Sequence, residues 1–259
     1  MPDGLDVAVH ERVGYVTINR PERRNALSES VMEGLVDTFT SFDHDDEVWA
    51  VLVTGAGDTA FSSGRDLKER AGRDTEGAAH PAPMRQRLRN PFEVVYECRK
   101  PVVAALNGWT VGGGLELAMA CDVRIAATHA QLSLPEAKRG MGANFGAAIL
   151  PRLVPVGIAY DMLYTGRNVT ATEAAQWGLV NAVVPAEDLA AEAERYVRAL
   201  LTRAPLTIRR YKALLQSSLT MPLATALRLD LQPDPYRSQD RVEGVRAFAE
   251  KREPRWQAR

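Results

Sequence analysis

Residues 100–126, KPVVAALNGWTVGGGLELAMACDVRIA, decide the architecture. Pro101 to Leu106 is a continuous apolar run of strand length, the kind that suits a strand covered on both faces, and it ends at Asn107-Gly108. Gly112, Gly113 and Gly114 then open an apolar helix, LELAMA, and Asp122 to Ala127 reads as the next strand. Upstream, Trp49 to Thr54 (WAVLVT) is a second run of the same kind, closed by Gly55. Leu5 to His10 and Val13 to Ile18 are valine-rich and read as a hairpin with Gly14 close to its junction. Ser28 opens a segment with Val31, Leu35, Phe39 and Phe42 at helical spacing, and a further helix carries Phe92, Val95 and Tyr96. From Asn144 onward helix signals dominate. Thr170 and Glu173 have capping-box spacing, and 187–203, 205–218 and 240–252 read as amphipathic helices. Strands alternating with helices, then helices alone, predict an α/β core with a helical C-terminal extension, divided near residue 200. Residues 71–83 (AGRDTEGAAHPAP) read as the one mobile stretch.

Composition removes several functions. Lys and Arg number 32 against 33 Asp and Glu, a net charge of −1, so the clustered basic excess of a nucleic-acid binder is missing. No stretch reaches the roughly 20 apolar residues that a membrane helix needs. Met1 to Glu11 lacks the apolar core of a signal peptide. Two cysteines, Cys98 and Cys121, make no disulfide framework, and no Cys/His spacing suggests zinc. The expectation is a cytoplasmic protein in a reducing compartment, without a metal.

Gly55-Ala56-Gly57-Asp58-Thr59-Ala60 fits the G-x-G-x-x-A dinucleotide fingerprint, but that fingerprint demands a helix opening at the second glycine. Phe61-Ser62-Ser63-Gly64-Arg65-Asp66 follows instead, another turn-like stretch, so a strand-ending loop is the better reading. The chain contains no phosphate loop, no H-E-x-x-H and no G-x-S-x-G elbow. His10, His44, His80 and His129 are scattered in polar or loop-like surroundings.

What remains is a pair of glycine turns and a pair of carboxylates. Gly112-Gly113-Gly114 stands before a helix whose amino end offers unpaired N–H groups and partial positive charge, a site for an anionic oxygen. The same triplet also fits tight helix–strand packing. Glu116 lies in the first turn amid an apolar run, and Glu136 follows Pro135 before a charged stretch; either acid alone reads equally as a solvated cap. The turn Ser62 to Leu67 can bring the Arg65 N–H to the end of the Trp49 strand, and two N–H donors from separate turns make an oxyanion hole.

These residues, with RPERRNALS (20–28), AFSSGRDLKE (60–69), SLPEAKRG (133–140), GLVNAVVP (178–185) and FAEKREPRW (248–256), occur in an order that resembles the enoyl-CoA hydratase/isomerase (crotonase) superfamily over nearly the whole chain. The resemblance implies a ββα spiral core over residues 1–200 that binds CoA and the acyl group. It also implies a helical C-terminal trimerisation region over 201–259, in a homotrimer or a dimer of trimers. It implies an acyl-CoA thioester as substrate, with coenzyme A as part of the substrate and no separate cofactor. Carried over residue by residue, the oxyanion-hole amides fall on Arg65 and Gly113 and the catalytic pair on Glu116 and Glu136. Substrate contacts fall on Asn25, Ala26, Leu27, Ser63, Asp66, Leu67 and Gly112, with Phe248 and Lys251 reaching CoA, often in a neighbouring subunit.

The activity so implied is an enoyl-CoA hydratase, with Glu116 activating water and Glu136 moving the proton at the α-carbon. An isomerase or hydrolase of the same fold and a non-catalytic CoA-binding subunit are the alternatives. Two departures bear on the substrate. Many hydratases carry G-x-x-P-x-x-G-G after the second glutamate, whereas Ala143 stands at the proline here, followed by Asn144 and Phe145, which points to a specialised or polar acyl group. Arg65 replaces a small residue; only its N–H is needed for the hole, which leaves its guanidinium for solvent, a CoA phosphate or an acidic acyl substituent.

Overall fold

A computed structural model describes residues 3–69 and 89–259 of the chain, so the stretch read as mobile, 71–83, lies outside the described residues. Strands β1 (Leu5–His10) and β2 (Val13–Ile18) form the expected antiparallel hairpin. Its turn sits on Glu11 and Arg12, both at positive φ (46 and 70), the twist that a two-residue connection requires. Gly14 is therefore not a turn residue. It lies within β2, where a Cβ would stand 2.6 Å from the Phe42 ring. Phe42 belongs to helix α1 (Glu29–His44), which starts where Ser28 Oγ accepts the Val31 N–H and buries Val31, Leu35 and Phe39 along one face.

The chain then repeats one pattern. Strand β3 (Ala50–Gly55) is followed by β4 (Ala60–Ser62) and helix α2 (Pro91–Glu97). Strand β5 (Val102–Leu106) is followed by β6 (Trp109–Val111) and α3 (Gly113–Ala120). Strand β7 (Val123–Ala127) is followed by β8 (Gln131–Ser133), a 3-10 turn (Pro135–Arg139) and α4 (Asn144–Leu153). In each round the first strand joins one sheet and the second joins another. After α5 (Val156–Thr165) come β9 (Val169–Thr170), α6 (Ala171–Gln176) and β10 (Ala182–Val184). The six-stranded sheet runs β1-β2-β3-β5-β7-β10 and is parallel from β2 onward; the four-stranded sheet runs β4-β6-β8-β9. Parallel neighbours need a crossover; the one from β2 to β3 carries α1, and those that follow β3, β5 and β7 each contain a short strand and a helix, so the chain winds as a spiral of ββα turns.

Helix α7 (Leu189–Leu201) covers the far face of the six-stranded sheet, packing Leu189, Ala193 and Val197 on Leu52, Val103, Ala105 and Ile125. With both faces covered, β3 and β5 read as unbroken apolar runs. Strand β10 adds to the sheet late in the chain, where helices alone were expected. The Thr170–Glu173 capping box forms as its spacing predicts. Helices α8 (Pro205–Ser218), α9 (Leu223–Ala226) and α10 (Gln239–Ala249) follow. Among the described residues no helix is long and apolar enough to cross a membrane.

Two buried side-chain amides fasten the loop between β3 and β4. Asn107 Nδ2 donates to the carbonyls of Gly55 and Gly57 at 2.8 and 2.7 Å, and Asn25 Nδ2 donates to those of Ala56 and Ala60 at 2.9 and 2.6 Å. The G-x-G-x-x-A stretch thus runs straight into β4 and opens no helix, as the bland reading required. Helix α3 crosses the second sheet closely enough that a Cβ on Gly114 would lie 2.3 Å from the Ser62 carbonyl oxygen. Backbone cannot yield as a flexible side chain does, so Gly114→Ala should cost about 1–3 kcal/mol. At this chain length that is a fall of roughly 2–4 °C in Tm per kcal/mol, read by thermal unfolding; an unchanged Tm would show that α3 and β4 can part freely.

Candidate active site

Helix α3 is buried at all 8 of its residues, so Glu116, acceptable by sequence as a first-turn acid, is carried into the interior and is only 8% exposed. An ionised carboxylate there needs donors. The amino end of α4 supplies them: the Gly146 N–H donates to Glu116 Oε1 at 2.7 Å, and the Phe145 N–H adds to it. Burial still prevails and pushes the Glu116 pKa up to about 7, with the charge of Glu136 adding to the rise while the Gly146 bond and the Arg65 guanidinium oppose it.

Glu136 is the second residue of the 3-10 turn that follows β8. Its carboxylate rests on the backbone of Gly112, where a Cβ would stand 2.8 Å from Oε1 and where φ is +55, so glycine is required there twice over. Glu136 Oε2 is buried with no hydrogen-bond partner among the described residues, and burial raises this carboxyl's pKa as well.

Facing the two acids is a pair of amides. Leu27 donates its N–H to the Gly64 carbonyl at 2.8 Å and accepts the Asp66 N–H at 3.1 Å, a one-residue parallel bridge. In such a bridge the residue between the bonded pair, Arg65, turns its own N–H to the opposite side. Gly113 lies there: a Cβ on it would be 3.5 Å from the Arg65 nitrogen. As the first residue of α3, Gly113 has an N–H with no acceptor inside the helix. Arg65, Gly113, Glu116 and Glu136 border one cavity. The glycine triplet divides the two readings left open by its sequence. Gly114 permits close packing, Gly113 presents an amide to the cavity, and Gly112 makes room for a carboxylate.

Ser63, Leu67 and Gly112 also border the cavity. The other expected substrate contacts do not. Asn25 is fully buried and its side chain is engaged with the backbone of Arg20, Ala56 and Ala60. Ala26 gives its carbonyl to Arg20, Leu27 sits behind Gly113, and Asp66 pairs with Arg20 at 3.1 Å while accepting the N–H groups of Lys68 and Glu69. Phe248 is 87% exposed on α10, Lys251 lies just beyond that helix, and neither borders the cavity within one chain. Asn144 and Phe145, singled out by their departure from the family pattern, do border the cavity, with the Phe145 ring 5.9 Å from that of Phe92, whereas residue-level reading missed Phe92, Asn90, Met141 and Arg139 as walls. Arg139 had a usable signal, since it follows Glu136 by one 3-10 revolution after a helix-starting proline.

Residues 8–259 match the family described as enoyl-CoA hydratase/isomerase. The chain belongs to that family. Among curated relatives, a carnitinyl-CoA dehydratase of Citrobacter koseri is 36% identical across 100% of both chains, and one of Salmonella arizonae is 37% identical across 99% of both. Among solved structures, an enoyl-CoA hydratase from Bacillus anthracis superposes with a TM-score of 0.90 at 34% identity, covering 99% of this chain and 100% of that one. An enoyl-CoA hydratase from Mycobacterium tuberculosis gives 0.89 at 30% identity over 100% of both. The ββα spiral is thus the crotonase fold that the sequence resemblance implied.

The raised pKa of Glu116 has a signed effect on stability. The folded chain holds a proton that the unfolded chain has released between pH 4.5 and about 7. The stability linked to it is fully present below the lower value and lost as pH rises through the upper one, at about 1.4 kcal/mol per pH unit. Glu116→Gln keeps an acceptor for Gly146 but carries no charge. Its Tm relative to the parent should therefore climb as pH is raised from about 5 to about 8, and a constant difference across that range would contradict the assignment.

Proposed function

We propose that this member of the family is a hydro-lyase that adds water across the C2–C3 double bond of a 2-enoyl-CoA thioester, and removes it in the reverse direction. The observation supporting this most strongly is a pair of carboxyl groups with raised pKa bordering the same cavity as two amides from separate turns. Addition of water pushes an electron pair from the double bond toward the thioester oxygen. The Arg65 and Gly113 N–H groups, together with the positive end of α3, are placed to hold that negative charge, a contribution of about 3 kcal/mol per donor. Glu116 as carboxylate takes a proton from water while the water oxygen bonds to C3. Glu136 as carboxylic acid gives a proton to C2 as the enolate collapses. The pair ends with its one shared proton on the other partner, and exchange with solvent resets it. No electron changes hands beyond the substrate, so coenzyme A within the substrate is the only cofactor chemistry needed.

The curated relatives are named for dehydration of carnitinyl-CoA, which is the same step run toward the alkene. That name supports elimination or addition of water over isomerisation or hydrolysis and leaves the acyl group as the difference between readings. With crotonyl-CoA, loss of the enoyl absorbance is expected. Glu116→Gln and Glu136→Gln should each lower kcat by about 10²–10⁴ while CoA still binds; unchanged rates in both variants would reject the mechanism.

The same reading includes a homotrimer or dimer of trimers formed through the C-terminal region. It is supported by Tyr211 and Leu215, exposed four residues apart on α8, by Leu219 at the cap of that helix, and by Leu223 and Leu227 at more than 70% exposure each, large apolar side chains that an interface would cover. Sedimentation should show a threefold or sixfold multiple of 28.4 kDa, and a monomer would refute it.

A further inference from the structure

The turn Pro135–Arg139 is a 3-10 helix, in which side chains at i and i+3 stand one above the other. Glu136 and Arg139 hold that relation and both border the cavity. Lys138, between them, turns away, with its Nζ donating to the Gly166 carbonyl at 2.6 Å. The charge of Arg139 is felt by Glu136, yet among the described residues the two do not close into an ion pair. Among the described residues Arg139 has neither a hydrogen-bond nor a salt-bridge partner, and Glu136 Oε2, buried beside it, has none either. Asn144, the first residue of α4, borders the same cavity with its side-chain amide also unengaged. Phe92 and Phe145 supply the apolar lining.

A guanidinium in a ligand cavity is desolvated when the ligand enters, which is unfavourable unless the ligand brings an acceptor. Its planar fork fits a carboxylate with two parallel hydrogen bonds. A methyl-ended acyl chain would cover part of it without offering an acceptor, and a quaternary ammonium would be repelled by it. We propose that Arg139, with Asn144, reads a carboxylate at the far end of the acyl group, so that the preferred substrates are CoA thioesters of unsaturated dicarboxylic acids. The inference rests on the hydro-lyase reading for the reaction and adds the class of acyl group to it. It also separates this chain's substrate from the cationic group that carnitinyl-CoA carries.

Binding of saturated thioesters, which cannot be hydrated, tests this independently of turnover. Calorimetry would compare 4-carboxybutanoyl-CoA, pentanoyl-CoA and 4-(trimethylammonio)butanoyl-CoA on the parent, Arg139→Leu and Arg139→Lys. The parent should bind the carboxylate-ended thioester about tenfold or more tightly than the neutral one, with the cationic one weakest. Arg139→Leu should abolish the preference and Arg139→Lys should restore part of it. Arg139 is exposed, and equal affinity of all three proteins for free CoA will show that the variants are folded. Equal binding of the three thioesters by the parent, a preference for the neutral or cationic one, or an anion preference that survives Arg139→Leu would each overturn the proposal. Failure to hydrate both crotonyl-CoA and 4-carboxybut-2-enoyl-CoA would strike the reaction instead and leave this binding result standing.

Discussion

The site depends on one hydrogen bond across two helices, from the Gly146 N–H at the start of α4 to the carboxylate of Glu116 inside α3. An acid in the middle of a helix buried on every side would otherwise be the most costly group in the core. Its position forces α4 to aim its amino end at α3, and the 3-10 turn that leads into α4 then carries Glu136 past the cavity. The donors are strong enough to keep Glu116 ionisable and too weak to cancel its burial. A carboxyl balanced in this way can accept and release a proton near neutral pH, which is the property that acid–base chemistry demands.

The two sheets serve this arrangement by different means. The six-stranded sheet is the rigid frame, covered by apolar helices on both faces. The four-stranded sheet is built from pieces of two or three residues that could not stand alone, and it is held by backbone contacts too close for a side chain. Those contacts bring the turn that bears Arg65 to the start of α3. The amide pair is thus a product of strand-to-helix proximity, not of any local motif.

The frame was legible in the sequence because WAVLVT and PVVAAL are continuous apolar runs with turn residues at their ends, a signal that needs no partner to be read. The second sheet was not, since three residues are too few to show a period. Strand β10 escaped for the same reason. At the site, each glutamate looked like an ordinary cap until the family resemblance joined them, because the fact that decides their chemistry, burial, is set by distant residues. Asn25 has a role that its family match did not disclose: its side-chain amide is spent on fastening the backbone of Arg20, Ala56 and Ala60. Arg139 went unread because a 3-10 periodicity of one revolution is invisible to helix and strand templates.

The amide of Asn107 has a consequence for ageing of the protein. It precedes Gly108, the pairing in which an asparagine most readily cyclises and loses ammonia, but in the folded chain its nitrogen is pinned between the Gly55 and Gly57 carbonyls. Once unfolded by heat the chain loses that shelter. Conversion to a carboxylate would then set a negative oxygen against two carbonyl oxygens on any attempt to close the β3–β4 loop. Thermal inactivation should therefore contain a chemically irreversible part that grows with time spent unfolded, even where aggregation is prevented.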